Sequence, residues 1–446
     1  MVTILPALRQ VREDLVKVLN QQAVEELCGD LGYRWRGRQL DPWTTLHLFI
    51  LQVLNQNTAM THLPHLSGER FTASAYCQAR RRLPVKLLEK LVDRFAGKLD
   101  GPVEVPLWRG HRVLLVDGSG FSMPDTPELQ AHFGQSSNQK PGCGFPVGHI
   151  LCLFDAEAGF LRDVIISPLR THDMAHVSEL HPKLRPNDLI VGDRGFCSYA
   201  HLTLVLQAKM HAIFRIHQNM IVDFHPYRPS AQEILGKGIP SSRYVKRLGY
   251  CDQLVEWVKP KIRPKWMLPE QFDQLPEKII VREIKWRIRN PHRRVQEVML
   301  VTTLLDPELY PAAEIARLYE QRWQVEVDLR DLKITLGLDV LKGHKVDTVK
   351  KELLVFVLVH NLVRTVTVKA AARQGVKPHR ISFIDALRWL QPAKPMPESL
   401  RNLVVNPERP NREEPRCLKR RPKEYELMKS PRQELRKQLK DKRDAA

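Results

Sequence analysis

Between Tyr319 and Lys333 the residue types are those of phosphate and metal chemistry. At about 100° per residue on a helix, Tyr319, Arg322, Glu326, Arg330 and Lys333 fall within roughly 80° of one another. One carboxylate stands there among three cations and a phenol. Such a set can hold a divalent ion with the acid and a nucleic-acid backbone with the bases. Leu318, Val325, Leu329, Leu332 and Leu336 form a separate stripe about 100° round, which would dock the helix on a core. The competing reading is a solvated face on which Glu326 only makes i,i+4 pairs with Arg322 and Arg330.

A single acid needs partners delivered by other elements. Two short Val/Leu/Ile-rich runs supply them: Arg112 to Val116 leads to Asp117-Gly118-Ser119-Gly120, and Asp188 to Gly192 leads to Asp193-Arg194-Gly195-Phe196. Both predict buried strands that present an acid at the C-terminal end, where glycines let a backbone or ligand come close. Open α/β sheets place their sites there. Two strand-end acids and one helix acid could hold two divalent ions for in-line phosphoryl chemistry on nucleic acid. Asp155, Asp188 and Asp331 are set aside: Asp188 precedes its strand, Asp331 points off the charged face, and Asp155 has no close glycine. The pair His172 and His176 finds no third ligand nearby and reads as a surface pair.

These residues resemble the DDE transposases of bacterial insertion sequences, in the branch marked by Y-(2)-R-(3)-E-(6)-K (insertion-sequence family four). The signature stands here as Tyr319, Arg322, Glu326 and Lys333, and Val116-Asp117-Gly118 and Gly192-Asp193-Arg194 look like the first and second acid motifs. The resemblance spans roughly residues 110–340. It implies an α/β fold with a ribonuclease H-like catalytic core and an inserted, mostly β subdomain. It also implies two Mg²⁺ ions (with Mn²⁺ able to substitute) on Asp117, Asp193 and Glu326, and DNA cleavage and strand joining. Tyr319, Arg322 and Lys333 would meet terminal phosphates, Arg322 through its fixed fork of donors. Family members carry a tryptophan at the start of the strand corresponding to 298–302; this chain has Val298. That departure bears on a hairpin step, for which Trp257, Trp266 and Trp286 are the alternatives. Two further readings use the same residues, a nuclease that cuts without joining and a transposase-derived DNA-binding regulator.

Composition agrees with an anionic partner. The 446 residues carry a formal charge of +20, which favours double-stranded DNA (element ends and target) over other partners. The apolar run Leu353–Val359, even continued to Val363, is too short to span a bilayer. The first nineteen residues lack a secretory layout. Seven cysteines form no C-x-x-C pair, and so predict reduced thiols. No Walker loop or dinucleotide fingerprint occurs, so no nucleotide cofactor is expected. The expected setting is the bacterial cytoplasm at the nucleoid, with no membrane and a homodimer in the synaptic complex.

The elements divide into three regions. Residues 1–105 read as a helical DNA-binding domain, with Asp41-Pro42 opening a helix. Within it, 61–66, a Ser67-Gly68 break and 72–82 resemble a helix–turn–helix that would put Arg80, Arg81 and Arg82 in a major groove. Residues 106–345 read as the catalytic domain, with strands at 113–116, 150–154, 161–166, 189–191 and 212–216. Helices are expected near 174–184 and 199–208, and a loop at 136–148. The β-rich insertion at 220–305 includes an alternating run, 281–289, whose Glu283, Lys285, Arg287 and Arg289 would form a face along DNA. Residues 346–446 read as helices at 350–372 and 382–390 followed from Asn406 by a basic tail, disordered or loosely helical.

Overall fold

Polar caps and apolar faces set the helices of the N-terminal part. The computed structural model describes residues 3–99, 106–169, 171, 173–234, 237–288, 296–391, 397–407 and 428–444. It begins with α1 (Leu5–Val11), α2 (Glu13–Leu19), α3 (Gln21–Asp30), α4 (Pro42–Leu54), α5 (Leu63–Ser67), α6 (Ala73–Arg82) and α7 (Val85–Lys98). Asp41 caps α4 by accepting the Thr44 amide at 2.7 Å, and Pro42, which has no amide to satisfy, takes the first turn. Gly68 ends α5 in the left-handed region at φ 70°, and Thr72 caps α6. Arg80 departs from expectation. It is buried at 4% exposure, donates to Gln52 at 3.0 Å and lies 3.7 Å over the Phe49 ring, so it holds α6 to α4 and is withdrawn from any DNA surface. Arg81 and Arg82 stay exposed.

Apolar runs then build one sheet. Its strands are β1 (Val113–Ser122), β2 (Val147–Asp155), β3 (Leu161–Pro168), β4 (Leu189–Gly192), β5 (His211–Arg215), β6 (Arg243–Gly249), β7 (Asp252–Val258), β8 (Lys278–Ile288) and β9 (Gln296–Thr302). The order is β3-β2-β1-β4-β5-β9-β8-β7-β6. β1, β2 and β3 form an antiparallel meander, while β4 and β5 run parallel to β1. The 220–305 strands extend this same sheet, because β9 pairs antiparallel with β5. Their basic face is narrower than expected. Glu283 is buried and accepts from Trp257 at 2.9 Å and Gln253 at 2.8 Å, while Lys285 and Arg287 both pair with Glu297; Arg289 lies outside the described residues.

Helices cover the sheet: α8 (Pro127–Phe133), α9 (Val177–Leu180), α10 (Tyr199–Gln207), α11 (Pro269–Asp273), α12 (Ala312–Glu320), α13 (Trp323–Arg330), α14 (Val346–Gln374) and α15 (Phe383–Leu390). The helix expected near 174–184 is broken into α9 and two flanking 3₁₀ turns. α14 is longer than the apolar run implied, and by length and composition alone it could cross a membrane. Yet 94% of its most apolar window is buried inside the protein, against α7, α4, α15 and β3. At about 1.5–3 kcal/mol per buried Leu, Val or Phe side chain, it is the principal core helix. Most of the tail falls outside the described residues, but Arg432–Asp444 forms a helix, α16.

Candidate active site

β1 carries Asp117, but not at its end. Pairing with β4 stops at Val116 and Gly192, while pairing with β2 continues to Ser122. The expectation therefore holds only for the parallel side: the β4 pairing ends before Asp117, whose carboxylate stays mostly buried, with 23% of its surface exposed. Its Oδ1 accepts the Gly118 amide at 2.8 Å. Asp193 follows β4 directly and caps the short 3₁₀ turn Arg194–Phe196, accepting the Gly195 amide at 2.7 Å. Gly192 is required by space, since a Cβ there would sit 2.9 Å from Val116 Cγ1 and 3.0 Å from Phe196.

The third acid stands on a helix that is not continuous. α12 ends at Glu320 and α13 begins at Trp323. Between them Arg322 N bonds to Tyr319 O at 3.0 Å and Val325 N to Arg322 O at 3.0 Å, a tight 3₁₀-type winding. Asp331–Thr335 then winds more loosely as a π-helical turn. Leu318, Val325, Leu329, Leu332 and Leu336 are buried as the stripe predicted. Asp331, set aside from catalysis, and Asp328, which the sequence did not single out, hold the helix in place. Arg364 on α14 binds both Asp328 and Asp331, the latter at 3.2 Å, so α13 is anchored on its buried side. Asp155 and Asp188 are likewise committed, to Arg162 and Arg112.

Arg322 joins the strand acid to the helix acid. Its Nη1 lies 3.7 Å from Asp117 Oδ2 and its Nη2 donates to Glu326 Oε1 at 3.0 Å. Lys333 Nζ donates to Ser119 Oγ at 2.9 Å, two residues along β1 on the face of Asp117. Burial pushes the Asp117 carboxyl up to about 6; the Gly118 amide and Arg322 oppose this, while Asp193 and Glu326 reinforce it. Burial also raises the Tyr319 phenol, with Arg322 and Arg215 pulling the other way. The structure thus couples Asp117 electrostatically to Asp193, Arg322 and Glu326, and Tyr319 to Arg322 and Asp193, while Lys333 reaches this neighbourhood through Ser119. Arg330 does not join them. It is exposed and reaches Asp331 at 3.8 Å.

Carboxylate oxygens are the donors a hard divalent ion prefers, so the donor chemistry fits. Among the described residues, however, no three His, Cys, Asp or Glu side chains stand together as an ion would require; the Arg322 guanidinium fills the gap between Asp117 and Glu326. His172 lies outside the described residues, and His176 pairs with Glu179. Sequence reasoning missed two members of this neighbourhood. Ser119, visible only through period-two alternation on β1, is the partner of Lys333. Trp323 is 59% exposed beside Arg322, whose guanidinium carbon lies 5.6 Å from the indole ring. Of the three tryptophans weighed against Val298, Trp286 is its direct cross-strand partner, whereas Trp257 is buried and bonded to Glu283.

Comparison with known proteins bears on this geometry. A family model described as a transposase DDE domain matches residues 108–362. The transposase InsG for insertion sequence element IS4 of Escherichia coli K12 is 27% identical over 381 residues, covering 81% of this chain and 80% of that protein. The transposase for insertion sequence element IS231B of Bacillus thuringiensis is 20% identical, covering 72% of each. A cryo-EM structure of a piggyBac transposase synaptic complex with hairpin DNA aligns with 90% of this chain and 82% of that one at 11% identity. Its TM-score of 0.44 is too low to equate the folds.

Proposed function

The chain belongs to the family of DDE transposases, and on that premise we propose that Asp117, Asp193 and Glu326 are the acids with which it cuts mobile-element ends. In this reading the chain binds the inverted-repeat ends and joins the freed 3′ ends to target DNA. The observation that carries it is Arg322, which links Asp117 to Glu326 across more than two hundred residues of sequence. A solvated helix face has no reason to meet the open edge of β1. The strand order β3-β2-β1-β4-β5 supports a ribonuclease H-like core within 106–345, with 220–305 as its insertion, a helical 1–105 domain and a helical 346–446 region.

Asp117, Asp193 and Glu326 would hold two Mg²⁺ ions. When bound, these supply activation of a water or 3′-hydroxyl and stabilisation of the leaving oxygen. The chain's own residues do the rest. Before DNA arrives, Arg322 offsets the repulsion between Asp117 and Glu326. A DNA phosphate offers its guanidinium a bidentate partner outside the carboxylate gap. Lys333 and Tyr319 flank the same phosphate from the π-helical turn and α12. Trp286, beside Val298 and in a groove shared with Arg287 and Arg317, would be the aromatic ring for a hairpin step. The protein acts on double-stranded DNA as a homodimer, at the nucleoid.

The test is incubation of full-length protein with a labelled element end and target DNA, with and without Mg²⁺. Joined product is expected. Cut product alone would favour the nuclease reading, and a shifted band without chemistry would favour a regulator.

A further inference from the structure

A basic surface of the N-terminal helices lies at the loop between α3 and α4. Its sequence, Tyr33-Arg34-Trp35-Arg36-Gly37-Arg38, alternates rings and cations. Tyr33 and Trp35 stack with centroids 6.3 Å apart and planes 23° from parallel. Their stacking stiffens a segment that otherwise has neither helix nor strand. Arg34, Arg36 and Arg38 are exposed, and with Arg82 from the end of α6 they line a groove of about 420 Å³. Arg82 is close enough to Tyr33 for its charge to act on the phenol. The acids nearby are already engaged. Asp41, which also lines the groove, caps α4, and Glu69 accepts from Gln39 at 3.0 Å. Among the described residues none of these four arginines has a carboxylate within salt-bridge reach. Four unpaired guanidiniums around one concavity repel each other, a cost that an anionic partner would remove.

We propose that this loop, together with Arg82, is a second docking site for the phosphate backbone of duplex DNA, separate from the carboxylate centre. The inference rests on the DNA-binding reading above and deepens it. The geometry also gives the spacing. α4 begins at the groove with Pro42, and just beyond its C-terminal end the Gln56 carbonyl lies against Gly337, beside the turn that carries Lys333. With 13 residues at 1.5 Å each, α4 separates the groove from the turn that carries Lys333 by on the order of 20 Å. At about 3.4 Å per base pair that is roughly six base pairs of duplex. An arginine-lined groove at that distance would hold the interior of the end while the carboxylates address its terminus.

The experiment compares wild-type protein with the full-length triple variant Arg34→Ala/Arg36→Ala/Arg38→Ala. Melting serves as the control for folding. The three positions are exposed and unpaired, so folding should survive. Hydroxyl-radical footprints at saturation should show wild type protecting the end and a second patch at least about six base pairs inward, and the variant only the first. The variant's affinity should fall by about tenfold or more, and its salt slope should flatten by about two to three, near 0.9 per lost phosphate contact. An unchanged footprint and slope in the variant would overturn the docking site while leaving the catalytic reading intact. Failure of wild type to bind DNA would instead overturn the reading on which this inference rests. Restoration of the second patch by the corresponding lysine triple variant is the expected outcome of the charge-conserving control, because lysine still meets a backbone phosphate as a point charge; no restoration would reject phosphate docking.

Discussion

Glu326 is the residue on which the catalytic reading turns. Its side chain is 42% exposed and its hydrogen bond is to Arg322 one turn away. As a mere surface pair it would contribute at most about 1 kcal/mol. Glu326→Gln keeps the size and hydrogen-bonding capacity but loses the charge a divalent ion requires. Folding and DNA binding should survive, with binding slightly tighter as one repulsion with phosphate disappears. Cleavage of an uncut end and joining of a pre-cut end should both collapse. Near-normal rates in a well-folded variant would falsify the assignment. Asp117 makes a separate prediction in metal-free buffer. Burial raises its folded pKa to about 6 from the ordinary 3.8. The folded state therefore binds the proton more tightly, and this stabilisation is present below about pH 4 and lost as pH rises through 6. Asp117→Asn does not titrate, so it should melt above wild type at pH 7, by on the order of 2 kcal/mol, and converge with it near pH 4. A difference independent of pH across that window would remove burial as the cause.

At the scale of elements, the site depends on where β4 stops and how α13 is held. Gly192 closes β4 with Val116, Phe196 and Phe214 all within 3.2 Å of an added Cβ. Gly192→Ala should therefore cost about 1–3 kcal/mol of stability, and should slow cleavage more than it weakens DNA binding, because Asp193 is the next residue. Melting together with single-turnover cleavage checks this, and a variant with wild-type melting and rate would show that the packing is not needed. The helix between Tyr319 and Lys333 was legible as an amphipathic stripe, and its buried leucines and valine are where the spacing put them. Its interruptions were not legible. A 3₁₀ turn and a π turn alter the winding by local hydrogen bonding that residue types do not announce. Lys333, within the π turn, reaches Ser119, and Arg330, just before it, does not reach the site.

For the whole molecule, charge is the dominant long-range property. A formal +20 spread over the Tyr33–Arg38 loop, Arg82, and the site cations predicts binding that weakens steeply with salt. The slope of log affinity on log salt should be about −0.9 per phosphate contact, and several units in total. Titration of an end duplex from about 50 to 200 mM salt measures it; a flat dependence would exclude an extended backbone contact. The single sheet gives this surface its rigidity. Because β6 to β9 continue the sheet beyond β5, and α14 packs across its β3 side, the two ends of the molecule are joined through one hydrogen-bonded layer.

What the sequence by itself determined was the set of chemically competent residues and their local periods. Asp117 and Asp193 behind buried strands, Glu326 with Tyr319, Arg322 and Lys333 on a helix, and the cap at Asp41 all follow from short-range pattern, which acts within a few residues. What only the tertiary structure decided was partnership. Arg80 looked like a groove reader because α6 is basic, but the ring of Phe49 and the amide of Gln52 come from a helix some thirty residues earlier. Asp331 looked idle and Asp328 was not singled out, but Arg364 on α14 makes them the clamp on α13. The Arg34–Arg38 loop forms no helix or strand whose period would flag it, and it lines a groove only together with Arg82. Burial and pairing across the chain are set by packing, and packing is not local.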